Sequence, residues 1–135
     1  MTVTTESPST APHLSAAERD RDGWTSACAL SRLIPELGVA VLLPGNVQVA
    51  LFLLANGDLH AVGNIDPYGR AAVMSRGIVG DRGGEPTVAS PLLKQIFSLA
   101  DGRCLDDPGT RLPVFDVRVW GGVVQVRARS DRGGE

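Results

Sequence analysis

Residues 48–54, QVALFLL, run into Ala55-Asn56-Gly57-Asp58 and then into residues 59–63, LHAVG. Two apolar runs of strand length flanking an Asn-Gly pair predict a β-hairpin, because Asn and Gly supply the positive φ angles that a type I′ turn requires. Strands are therefore expected over Gln48–Leu54 and Leu59–Gly63, paired with each other.

The same punctuation continues in both directions. Val114 to Trp120, Gly121-Gly122 and Val123 to Arg127 form a second hairpin pattern. In its first arm Phe115, Val117 and Val119 alternate with Asp116, Arg118 and Trp120, so one face is expected inward and Trp120 half-exposed. Trp24 to Leu30 and Val39 to Leu43 read as earlier strands. Leu92 to Ala100 fits a helical stripe or a strand, and the turn signal Ala100-Asp101-Gly102-Arg103 favours the strand. Positions 64–90 hold Pro67, Gly69, Gly77, Gly80, Gly83, Gly84 and Pro86. Much of this stretch is expected as loop, with a short strand at Ile78 to Asp81, and a long loop in a small domain is where function concentrates.

Over 135 residues, 43% hydrophobic, 21% charged and a formal net charge of -2 are the proportions of one small soluble domain. Residues 1–22 are rich in Ser, Thr, Pro, Ala and charge, and are expected as a disordered tail; residues 129–135 read the same way, leaving a domain over 23–128. The pentapeptide DRGGE occurs at 81–85 and 131–135 without similar surroundings and is read as coincidence. The longest apolar run, Val49 to Ala55, is far short of the roughly 20 residues that cross a bilayer. No charged-then-apolar leader opens the chain, so a cytoplasmic location with no membrane partner is expected. Twelve of the thirteen basic residues are Arg and Lys94 is the remaining one. Without clustered basic residues and with a negative balance, a nucleic-acid partner is not expected.

Side chains that carry chemistry are sparse. Metal centres in paired loops want Cys and His at C-x-H or C-x-x-H spacing. Here His13 and His60 are far apart, and Cys28 and Cys104 stand alone. There is no G-x-S-x-G elbow, and a nucleophile would depend on His60 meeting a Cys or Ser by accident of fold. Asp106-Asp107 precede Pro108-Gly109 and read as turn residues. Gly77-x-x-Gly80-x-x-Gly83-Gly84 lacks the strand, helix and Lys of a phosphate cradle, and a flexible loop is the better account.

From Leu59 to Ala128 the chain resembles the Rieske-type [2Fe-2S] domains. Leu59 to Gly69 (LHAVGNIDPYG) matches the first box, Val88 to Asp106 (VASPLLKQIFSLADGRCLD) the second with its DGRC turn, and Leu112 to Val119 (LPVFDVRV) the closing hairpin. Asp66 and Tyr68 stand for the first Cys and His, Ser90 and Leu93 for the second pair. The fold implied is an all-β, Rieske-like antiparallel β-sandwich with a small subdomain carrying the second box. Thiolate and imidazole are needed at those four positions, so no cluster is expected.

This ligand-less pattern resembles the small-subunit family of cytoplasmic NAD(P)H-dependent nitrite reductases, over about the last 110 residues. The resemblance implies a non-catalytic subunit in nitrate and nitrite assimilation. Its partner, the nitrite reductase large subunit, would hold FAD, a [4Fe-4S] cluster and siroheme, and would reduce nitrite to ammonia with electrons from reduced nicotinamide. Pro67, Tyr68, Leu92 and Leu93 would then dock on that subunit, an apolar and aromatic tip being what an interface core favours. The opposing expectation is that these loops pack on each other and fill the vacated pocket. Competing functions are a Rieske ferredoxin of an oxygenase and a free-standing protein-binding module.

Overall fold

The computed structural model describes residues 14–15 and 22–129. Among them the strands are β1 (Leu14–Ser15), β2 (Thr25–Ala29), β3 (Val39–Leu43), β4 (Val47–Leu53), β5 (Leu59–Gly63), β6 (Ile78–Arg82), β7 (Glu85–Ala89), β8 (Ile96–Ser98), β9 (Arg103–Cys104), β10 (Asp107–Arg111), β11 (Val114–Trp120) and β12 (Val123–Ala128). They build a seven-stranded sheet, β1-β3-β4-β5-β11-β12-β2, and a five-stranded sheet, β10-β9-β8-β7-β6. All pairings are antiparallel except β1 with β3, where Leu14 and Ser15 lie opposite Val41 and Leu42. No helix of the described residues is long and apolar enough to cross a membrane.

β4 explains the layout. Val49 and Leu51 enter one core cluster with Leu33, Val41, Ala61, Phe115, Val124 and Val126, around which the large sheet curls. Ala50 and Phe52, pointing the other way, enter a second cluster with Val62, Met74, Val88, Phe97, Leu99 and Leu112, which joins the two sheets. A strand with both faces covered reads as a continuous apolar run, and full burial of each such side chain stabilises by roughly 1.5–3 kcal/mol. β4 and β5 thus seat the small sheet, and with it the loops after β5 and β7, on the large one.

Three expectations need correction. The β4–β5 connection is not type I′: Gly57 has φ +97° but Asn56 is not left-handed, and Gly57 N–H donates to Leu54 O. With Ala55, Asn56 and Gly57 all in the connection, the geometry is a type I turn closed by a left-handed glycine. Paired positive φ angles fall instead at Gly121-Gly122 and Gly83-Gly84. The short strand expected at Ile78 to Asp81 is present as β6, but the glycine-rich stretch around it, expected as flexible loop, continues through Gly83-Gly84 into β7, in register from Ile78 opposite Ala89 to Arg82 opposite Glu85. Finally, the inward face of β11 holds at Phe115 and Val117, which pack on the first core cluster, but not at Val119. Val119 is 42% and Trp120 66% exposed, because this end of the hairpin extends past the sheet's core.

The tails expected over 1–22 and 129–135 lie mostly outside the described residues. Within them, Leu14–Ser15 pair with β3, and the Arg129 guanidinium donates to Asp116 at 2.9 Å.

Candidate functional site

β5 delivers the first box and β7 the second. Beyond Gly63 the chain is anchored by buried Asn64, whose Oδ1 accepts the Ser75 N–H at 2.7 Å while its carbonyl accepts Met74 N–H. Two turns of the same construction follow. In the first, Arg70 N–H donates to Asp66 O and Asp66 N–H to Ala71 O; in the second, Lys94 N–H donates to Ser90 O and Ser90 N–H to Gln95 O. Each begins with Asp or Ser before a Pro and ends on a cation in the left-handed region, Arg70 at φ +61° and Lys94 at φ +65°. A side chain other than Gly or Asn there costs on the order of 1–3 kcal/mol and persists only where its surroundings impose it.

The two turns are fastened to each other. Ser90 O–H donates to Asp66 Oδ2 at 2.5 Å, and both residues are buried. Asp66 Oδ1 accepts the N–H groups of Tyr68 at 2.7 Å and Gly69 at 3.2 Å, and Ser90 Oγ accepts that of Leu92 at 3.2 Å. Burial raises the Asp66 pKa, but the Ser90 hydroxyl and the two N–H groups outweigh it and hold the carboxyl below the usual range. Leu92 closes against Gly69, where an added Cβ would lie 2.6 Å from Leu92 Cδ1.

Tyr68 sits half-buried, its ring tilted at 6.2 Å from Phe97 and its O–H donating to Asp107 Oδ2 at 2.8 Å. Its phenol is pushed up to about 12: the Thr110 hydroxyl pulls it down, and burial, Cys104 and Asp107 together prevail. Asp107 is held low, chiefly by that tyrosine. It lies in β10 with Tyr68 and Thr110 on its carboxylate, a wider role than the turn residue expected. Behind the second turn, Arg103 bonds Glu85 at 2.9 and 3.0 Å and Asp101 at 2.7 Å, tying the DGRC turn to β7. Between the two loops the contacts are Asp66 with Ser90 and Gly69 with Leu92, whereas Tyr68 turns to Phe97 and Asp107. Leu92 at 46% and Leu93 at 56% exposure still present apolar surface, beside half-buried Pro67.

The donor set does not suit a Rieske cluster. Such a centre takes two thiolates on one iron and two imidazoles on the other. The four positions hold a carboxylate, a phenol, a hydroxyl and an alkyl group, and the first and third are bonded directly to each other. Among the described residues no group of three or more His, Cys, Asp or Glu side chains could hold a metal ion. Cys28 and Cys104 are free and pack in different core clusters. His60 lies on β5, away from both turns; burial lowers its pKa, and its Nε2 is buried without a hydrogen-bond partner. The sequence reading gave no role to Arg70 or Lys94 and read Asp107 only as a turn residue. The shared pattern [Asp/Ser]-Pro-x-x-[Arg/Lys] was the signal available for the first two.

Residues 23–127 match the family model for the Rieske-like [2Fe-2S] domain. The nitrite reductase (NADH) small subunit of Escherichia coli strain K12 is 43% identical over 105 residues, spanning 77% of this chain and 96% of that protein. The crystal structure of a Mycobacterium tuberculosis protein assigned as an NADH-dependent nitrite reductase small subunit superposes with a TM-score of 0.77 at 58% identity, covering 79% of this chain and 96% of that one. The nitrite reductase [NAD(P)H] large subunit of Klebsiella oxytoca is 37% identical over 113 residues, 80% of this chain but 12% of that much longer protein.

Proposed function

The chain belongs to the Rieske-like [2Fe-2S] domain family and, within it, to the nitrite reductase small subunits, and from that premise we propose that it is a cluster-free, non-catalytic subunit of a cytoplasmic NAD(P)H-dependent nitrite reductase. Its large-subunit partner carries FAD, a [4Fe-4S] cluster and siroheme and performs the reduction of nitrite to ammonia in nitrate assimilation. The observation that carries this reading is the 43% identity over 96% of the Escherichia coli small subunit. The Klebsiella oxytoca large subunit, which includes a region similar to this chain, supports a task performed beside the catalytic body. Absence of a cluster is supported by the donor set, in which Asp66 and Ser90 occupy the two Cys positions and bond each other.

On this reading the two fastened turns are the docking tip, with Pro67, Tyr68, Leu92 and Leu93 as its apolar part. Co-purification of the full chain with the large subunit tests it, together with nitrite-dependent NAD(P)H oxidation measured with and without the chain. Leu93→Asp should weaken association while the domain stays folded, since Leu93 is exposed. A large subunit that neither binds the chain nor changes its turnover on addition would overturn the reading.

A further inference from the structure

The two turns of the tip are built alike, and each ends on an exposed cation. Arg70 and Lys94 hold matching positions and the same left-handed backbone, at φ +61° and +65°. Gly or Asn would fit that conformation with less strain, so nothing in the turn itself calls for a cation there. Among the described residues neither side chain has a hydrogen bond or ion pair. The nearby carboxylates are engaged within the chain: Asp66 on Ser90, Tyr68 N–H and Gly69 N–H, and Asp107 on Tyr68 and Thr110. Those carboxylates keep their negative charge, since every group bonded to them is neutral, but Asp66 is buried, so the exposed surface of the clasped turns presents two cations without ion-pair partners among the described residues, beside exposed Leu92 and Leu93.

From this charge pattern we propose that the tip docks into an apolar recess on its protein partner whose rim is lined with carboxylates, Leu92 and Leu93 filling the recess and Arg70 and Lys94 meeting the rim. The proposal rests on the docking tip described above and adds the chemistry of the surface that receives it. Rim charges act mainly on the association rate and its salt dependence, and the apolar centre on residence time. The Asp66–Ser90 bond is the positioning element, because it sets one turn, and so one cation, relative to the other.

The test is the affinity of the full chain for the purified large subunit at low and high ionic strength, for the wild type, Arg70→Asn/Lys94→Asn and Arg70→Lys/Lys94→Arg. Asn accepts the left-handed backbone, so the first variant removes charge without disturbing the turns, and a thermal melt verifies that it is folded. Binding of the double Asn variant should be weaker by roughly tenfold at low salt, with a shallower salt dependence. The charge-conserving swap should bind like the wild type. Affinity that is unchanged by the Asn pair and insensitive to salt overturns the proposal while leaving the docking tip standing. Failure of the wild type to bind at all overturns the reading of the tip, and the proposal falls with it. Self-association of the chain through the tip, lost in the Asn variant, would assign the surface to a second copy and also overturn it.

Discussion

The carboxylate of Asp66 and the hydroxyl of Ser90 lie 2.5 Å apart, 24 residues apart in sequence and closed off from solvent, at the two positions that the Rieske resemblance sets against cysteines. This hydrogen bond, with Leu92 packed over Gly69, fastens the two turns together.

Removing either partner should loosen that join. Ser90→Ala strips a donor from a buried carboxylate and should destabilise the fold by about 1–3 kcal/mol. In a domain of this size that lowers Tm by roughly 4–8 °C per kcal/mol. Combined with Asp66→Asn, the loss should fall short of the sum of the two single losses in a double-mutant cycle read by urea denaturation. Additive losses would show that the bond contributes nothing of its own.

Acid should act on the same bond. Asp66 has its pKa lowered on folding from 3.8, so its contribution is complete above that value and is lost as pH falls through the folded one. Glu85, Asp101 and Asp107 are lowered too, so Asp66→Asn should make the acid limb shallower without abolishing it. His60 acts in a higher window: burial lowers its pKa from 6.5, folding favours the neutral ring, and stability declines as pH drops below that point. Urea midpoints measured against pH should show the His60 decline unchanged in Asp66→Asn and absent in a His60→Phe variant.

Tyr68 is the single tyrosine of the chain, which makes its titration directly readable by ultraviolet absorbance. The midpoint should lie near 12 and should move down in Asp107→Asn, since the carboxylate that accepts its proton disfavours the phenolate. A midpoint at the ordinary value of 10 in the folded wild type would remove this contact from the account.

Two glycines separate strain from collision. At Gly57, φ is +97° with open space around it, and Ala should cost about 1 kcal/mol. At Gly102, φ is +83° and a Cβ would lie 2.2 Å from the Leu112 carbonyl oxygen, a backbone atom that cannot swing aside. Gly102→Ala should therefore cost several kcal/mol, on the order of 4 or more, and leave little folded protein. Equal melting temperatures for the two variants would contradict this.

The hairpins were legible because their cues are local: an Asn-Gly pair between apolar runs, and a two-glycine turn after an alternating strand. β7 was hidden because Pro86 and the glycines around Ile78–Ala89 imitate loop composition, while its pairing with β8 depends on residues eleven positions away, as for Thr87 opposite Ser98. The four degenerate ligand positions came from resemblance, which aligned Asp66 and Ser90 with cysteines without saying that they would meet. No period or spacing encodes a carboxylate and a hydroxyl 24 residues apart finding each other; the β5 and β7 strand ends decide it. The shared [Asp/Ser]-Pro-x-x-[Arg/Lys] spacing marks Arg70 and Lys94 as equivalent but not as left-handed, a conformation that favours Gly or Asn.

The most direct measurement is iron and acid-labile sulfide analysis of the anaerobically purified full chain, with visible absorbance and electron paramagnetic resonance of the reduced sample. The account predicts a colourless protein without stoichiometric iron or sulfide and without a reduced-state signal. A reddish-brown preparation with two irons and two sulfides per chain, roughly as a Rieske centre contains, would contradict it.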